Sequence, residues 1–245
     1  MARNVLLNNI DHPDLKVVPG QGEEFGDSVN QTVVFPTEFE EVQREYPILF
    51  RRDANGKFQA VALLGLDKNE NLFLSPDGWR ARHVPVIHQR GPFMIGFQER
   101  KTDGNVRREP VIYVDLEDPR VGTAKGQPLF LPHGGNAPYL QHVSQVLRAI
   151  DVGLSLVDPM FEAFEEAGLI EPASMDVALD QHTVYQVPDI YSINAERLAT
   201  LDGPALEKLN RSGFLRHAFL VLASLPNVNR IIEMKASRRE LARQA

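Results

Sequence analysis

The sequence contains no cysteine. That excludes structural disulfides, thiolate metal sites and a cysteine nucleophile, though it does not fix the compartment. Positive charge is also in deficit. Lys and Arg total 26 against 33 Asp and Glu, a net charge of −7 with a pI near 5.5. A general nucleic-acid binder needs a basic face to neutralise phosphates, so nucleic acid is not an expected partner. Long apolar runs are missing. The stretch AFLVLA at 218–223 falls far short of the roughly 20 residues that span a bilayer. The start, MARNVLLNNIDHPDL, lacks the longer apolar core and the small-residue cleavage site of a signal peptide. A soluble, cytoplasmic protein without a transmembrane segment is expected. There is no internal repeat, no Ser- or Gly-rich linker and no G-x-S-x-G nucleophile elbow, and Trp79 is the single tryptophan.

What is present suits a globular chain: 43% hydrophobic and 24% charged residues over 245 positions, enough for a sizeable core. The pattern predicts an α+β fold with a β-rich N-terminal part that carries one early helix. The C-terminal part is helical and mixed. Thr37 and Glu40 have capping-box spacing, which predicts a helix to about Tyr46, ended by Pro47. ILFRR and FQAVALLGL read as strands joined by a turn at Asn55-Gly56. NLFL is a short strand, HVPVIHQRGPFMIGF an extended segment bent by Pro85 and Pro92, and EPVIYVDLED a strand. After residue 133 the pattern turns helical, with Leu140, Val143, Leu147 and Ile150 on one face. Asp158-Pro159 reads as the start of a further helix that ends at Gly168. Strands follow over 174–193, then an apolar helix around His217 and a basic C-terminal helix. A single domain over 1–245 is expected, with a β-rich lobe at about 1–132 and an α-rich lobe at about 133–245.

Charge is unevenly placed along the chain. Residues 151–196 hold ten acidic residues and no Lys or Arg, whereas 204–245 hold eight basic and three acidic ones. The basic stretch is expected to form a solvated face docked on the acidic segment, in this chain or in a second copy.

Candidate sites come from a few constellations. PHGGN, at 132–136, places His133, Gly134, Gly135 and Asn136 before a helix, with Tyr139 just inside it. Backbone N–H groups there can bind an anion; equally, the glycines can turn the chain while Asn136 caps the helix. The loop lacks the Lys and Ser/Thr of a P-loop. DGWRARHVPVIHQRGPF gathers Trp79 with Arg80, Arg82 and Arg90, a set that can grip a carboxylate or a peptide, or form a sheet edge with solvated charges. His12 and Asp14 make an H-x-D pair, but Pro13 interrupts it and no metal site is expected. Asp115 and Glu117 can share a strand face, while Asp118 before Pro119 starts a turn. His217 reads as a hydrogen-bonded core histidine.

Several blocks together resemble the bacterial SapC family: DHPDLKV, FPTEFEEVQREYPILFRRD, FQAVALLGLDKNENLFL, GW…HVPVIHQRGPFMIGF, LFLPHGGNAPYL and YSINAERLATLDGPALEKLNRSGFL. They stand in family order over nearly the whole chain. The family takes its name from surface-layer proteins of a bacterium. Its members are often encoded beside TonB-dependent receptors, tryptophan-halogenase-like flavoproteins and cupin-like proteins. The resemblance implies a role in uptake or processing of an outer-membrane nutrient, and it transfers no catalytic residues.

The expectation is therefore a non-catalytic accessory or binding protein that recognises a peptide, a metabolite or a partner protein of an uptake system. It needs no cofactor, and a homo-oligomer is compatible with the sequence. Binding is assigned to Trp79, Arg90, His133, Gly134, Gly135, Asn136 and Tyr139. The first alternative is an enzyme with His133 as base or metal ligand, which requires that histidine to lie in a cleft with another His or a carboxylate in reach. The second is a structural surface-layer component.

Overall fold

Strands Ile48–Arg52 and Phe58–Leu63 form the expected hairpin, turned at Gly56 with φ of 80°. The hairpin lies within a five-stranded antiparallel sheet. Across that sheet the order is Ile170–Asp180, Thr183–Ile193, Ile48–Arg52, Phe58–Leu63 and Gln31–Val33. The computed structural model describes residues 3–102, 105–180 and 183–244.

The chain divides into two compact units, each assembled from two separated stretches. The first comprises Met1–Asp27 and Val86–Asp151, the second Ser28–Pro85 and Val152–Ala245. The units interleave along the sequence instead of following its change of pattern near residue 133. In the first unit, Asn105–Asp115 pairs on one side with Asn4–Leu6 and on the other with Phe93–Thr102. Leu140, Val143 and Leu147 project from the helical face read in the sequence and pack with Val17, Phe93, Val114 and Leu129. In the second unit the core is aromatic. Phe39, Tyr46, Phe50, Phe73 and Phe164 are fully buried, in one cluster with residues of helices Ala195–Ala199, Gly203–Arg211, Phe214–Ser224 and Val228–Gln244.

Four elements differ from expectation, each for a physical reason. The Thr37–Glu40 capping box does not form. A 3-10 turn at Pro36–Glu38 precedes the short helix Phe39–Val42, and Glu38 turns inward, where its Oε1 accepts the Phe35 N–H at 3.2 Å. Pro85 does not bend a strand but precedes a short helix, Val86–Gln89, where proline's fixed φ suits helix entry. No new helix starts at Asp158-Pro159. One helix runs from Pro138 to Glu166 because Met160, Phe161 and Phe164 on the following turns are buried, and Asp158 pairs with Lys57 at 2.7 Å. The helix does end at Gly168: with φ of 64° it closes a Schellman motif, Leu169 N–H to the Phe164 carbonyl and Gly168 N–H to that of Glu165. The basic last helix finds its acids elsewhere than 151–196. Arg230 pairs with Glu45, and Lys235 with Asp67 and Glu70, whereas Lys208 meets Glu166 of that segment.

Gly153, in the middle of the long helix, is a packing requirement. A Cβ there would stand 2.5 Å from Phe35 Cβ and 2.9 Å from its Cγ. Helix propensity alone favours alanine by about 1 kcal/mol. Overpacking against an atom next to the backbone costs about 1–3 kcal/mol and outweighs that gain. Urea unfolding of Gly153→Ala is expected to show a lowered midpoint; a raised midpoint would mean that Phe35 moves aside freely.

Candidate functional site

The second unit holds a cleft of about 310 Å³ lined by Glu41, Arg44, Glu45, Arg82, His83 and Arg230. Three stretches build it. The turn that follows Phe39–Val42 supplies Arg44 and Glu45, with Tyr46 N–H bonding the Val42 carbonyl at 2.9 Å. The loop after the two-residue strand Gly78–Trp79 supplies Arg82 and His83. The last helix supplies Arg230.

The loop is tied down from beneath. Glu45 accepts the Arg82 N–H at 2.7 Å and, more loosely, the His83 N–H at 3.4 Å, while Arg230 Nη1 reaches its other oxygen at 3.0 Å. Burial alone would raise the Glu45 pKa. The hydrogen bonds from Arg230 and from the two N–H groups outweigh it, and the carboxyl sits below its usual value. Tyr46 is fully buried; its hydroxyl donates to the His83 carbonyl at 2.6 Å and accepts from Trp79 Nε1 at 2.8 Å. Burial pushes that phenol well above its usual pKa, so it stays a donor at any physiological pH. His83 Nε2 lies 2.7 Å from Glu38 Oε2, with the carboxylate side chain 4% exposed and the imidazole 17% exposed.

The arginines differ in commitment. Arg44 pairs with Glu41 at 3.2 Å, and Arg230 with Glu45. The Arg82 guanidinium is exposed and has no acid partner among the described residues. The cleft therefore presents one uncommitted planar cation along with two engaged ones, and a histidine backed by a buried carboxylate. This arrangement can take a carboxylate bidentately.

A second cleft in the same unit, about 220 Å³, is lined by Arg52, Lys57, Phe58, Asp158 and Glu162 among others. Its cations are already satisfied. Arg52 lies over the Phe58 ring at 4.0 Å and donates to the Gly56 carbonyl, and Lys57 pairs with Asp158.

The sequence-chosen residues fall in three places. Trp79 belongs to the second unit and supports the arginine-lined cleft through Tyr46. Arg90 and Tyr139 belong to the first unit, where both surround Arg120. Arg120 makes two bonds to Asp118, at 2.8 and 2.6 Å, and lies near the Tyr139 hydroxyl beside Gly91. Arg90 donates to the Phe93 carbonyl at 3.0 Å, and burial and the Arg120 charge both lower its pKa. Close by, His88 and Asp27 meet at 2.6 Å. His133, Gly134, Gly135 and Asn136 form an exposed loop of the first unit. Gly134 and Gly135 take φ of 86° and 91°, and the loop closes through Gly134 N–H to the Leu131 carbonyl and Leu131 N–H to that of Gly135. Asn136 does not cap the helix. It forms a bridge with Phe130, and the helix starts at Pro138. The His133 ring has no partner among the described residues.

The remaining candidates resolve into structural contacts. His217 is hydrogen-bonded as expected, at 3.1 Å to the Gly213 carbonyl and 3.2 Å to that of Pro36. Asp115 accepts the Arg3 N–H at 2.7 Å. Among the described residues no group of three or more His, Asp or Glu gathers that could hold a metal ion, and no helix is long and apolar enough to cross a membrane. Sequence reading passed over Glu38, Glu45, Tyr46 and Arg230. The first three stand in a block that also carries Thr37, Glu40, Glu41, Gln43 and Arg44, so nothing marked them out, and Arg230 gave no signal either.

The family model described as SapC matches residues 7–231. No curated protein and no solved structure matches the chain.

Proposed function

The chain belongs to the SapC family, and from that premise we propose that it is an accessory binding protein of a bacterial cell-surface uptake system. Its ligand is a small carboxylate-bearing molecule, a metabolite or the end of a peptide, held in the arginine-lined cleft. The observation that carries this reading is the exposed Arg82 guanidinium without an acid partner among the described residues. It lines the cleft with Arg44 and Arg230. The loop that bears it is fixed by Glu45 and Tyr46, so the site is pre-formed and binding costs little ordering. The TonB-receptor context implied by the family resemblance, and the cytoplasmic placement expected from the sequence, belong to this proposal.

Calorimetric titration with amino acids, dipeptides and 2-oxo acids at low salt tests it. A charge-assisted bidentate contact contributes about 1.5–3 kcal/mol, so Arg82→Ala is expected to weaken binding roughly 10- to 150-fold. The corresponding amides should not bind. Equal affinity for acid and amide, or no effect of Arg82→Ala, would refute the proposal.

A further inference from the structure

We infer that the Glu38–His83 pair is a general base that serves the cleft, so that a small 2-oxo acid held there exchanges the protons on the carbon beside its carbonyl. This rests on the cleft being the ligand site proposed above and extends it from binding to proton transfer.

The tautomer of His83 follows from its partner. Glu38 Oε2, 2.7 Å from Nε2, belongs to a carboxylate, which only accepts. Nε2 therefore carries the proton, and Nδ1 holds the lone pair. Nδ1 has no hydrogen-bond partner among the described residues. It is not among the buried side-chain atoms without partners there, which are Arg51 Nε, Thr123 Oγ1 and Ser192 Oγ. His83 lines the cleft beside Arg82 and Arg230. Its backbone is pinned at both ends, the carbonyl by Tyr46 and the N–H by Glu45. The enzyme alternative asked this of His133, which stands in an exposed loop; His83 is the histidine that lines a cleft with a carboxylate in reach.

The chemistry suits a 2-oxo acid because a C–H beside a ketone carbonyl is much more acidic than one beside a carboxylate alone. Arg82 takes the ligand's carboxylate. The C3–H bond breaks and its proton passes to Nδ1. The electron pair forms the C2–C3 double bond and moves charge onto the carbonyl oxygen as an enolate, next to the cleft's guanidinium charge. The reverse step returns a proton that has exchanged with solvent. Atoms balance without a further reactant.

Glu38 acts as a positioning residue, and its amide analogue makes a sharp test. Oε1 of Glu38 accepts the Phe35 N–H at 3.2 Å. In Glu38→Gln that N–H holds the amide oxygen, so the amide nitrogen faces His83 Nε2 and donates to it. The imidazole then takes the Nδ1–H tautomer and loses its base, as in a triad whose carboxylate becomes an amide.

The experiment follows C3-proton loss from pyruvate and 2-oxobutyrate in D2O by proton NMR, with calorimetric binding of the same acids measured in parallel. The wild type is expected to accelerate exchange above buffer. His83→Gln and Glu38→Gln should fall to the buffer rate while still binding the acids. Nitrogen NMR should show His83 as the Nε2–H tautomer in the wild type and Nδ1–H in Glu38→Gln. Binding without wild-type exchange overturns the base assignment and leaves the cleft as a binding site, as does exchange that survives His83→Gln. If neither 2-oxo acid binds, the substrate assignment is overturned; if no carboxylate binds at all, the ligand site itself falls.

Discussion

Phe164→Ala is expected to lower the stability of the protein by about 3–5 kcal/mol, the range for removing a buried phenylalanine ring. Phe164 has no exposed surface. Its ring stacks on Phe50 at 6.1 Å and meets Phe161 edge-on at 6.4 Å, while Phe161 itself touches Phe50 and Phe58. The cavity would open between the long helix and the sheet, where the rings of Phe50 and Phe161, themselves packed together, leave little that can collapse into it. The stacked rings also lose their mutual contacts, which adds about 0.5–1.5 kcal/mol per pair beyond area. Guanidinium unfolding provides the measurement. A loss under about 1.5 kcal/mol, typical of sites that collapse or are half-exposed, would contradict this packing.

Glu45→Ala is the second large effect, about 2–3 kcal/mol at neutral pH, because hydrogen bonds to a charged group contribute about 1.5–3 kcal/mol. The variant strips the acceptor from the Arg82 N–H and from Arg230, and it loosens His83. The loss depends on pH with a definite sign. The folded-state pKa of Glu45 lies below its ordinary value of 4.5. Its contribution is therefore complete above that value and disappears as the pH falls through the lower, folded-state pKa. The gap between wild type and variant should be full at pH 7 and narrow below about pH 4.5. A gap that stays constant down to pH 3 would show that Glu45 acts by packing rather than by charge.

Legibility in the sequence tracked the range of the interactions involved. The Asn55-Gly56 turn, the Leu140–Leu147 face and the Gly168 stop are decided within a few residues, and each stands where the pattern put it. Thr37 and Glu40 offered capping-box spacing, yet Glu38 is the acid that turns inward. What chose Glu38 was His83, 45 residues away, which local spacing cannot register. The same holds for Arg230, whose partner Glu45 lies 185 residues off. Pro85 was ambiguous because proline suits both a bent strand and a helix entrance. The candidate site was legible only through Trp79 and the arginines near it. The groups that shape the cleft join stretches that no local motif connects.

The division of the chain into two interleaved units has a consequence for its synthesis. The first unit is complete once residue 151 has left the ribosome, yet the second then exists only as its earlier half, Ser28–Pro85. Strand Ile48–Arg52 is translated long before Thr183–Ile193, the strand that later covers its free side. Until that hairpin emerges, the strand's backbone groups beside Phe50, which later meet Tyr191, stay open to other chains. The nascent protein thus carries an open edge while residues 53–182 are being translated, a state in which exposed strand edges favour association with other chains.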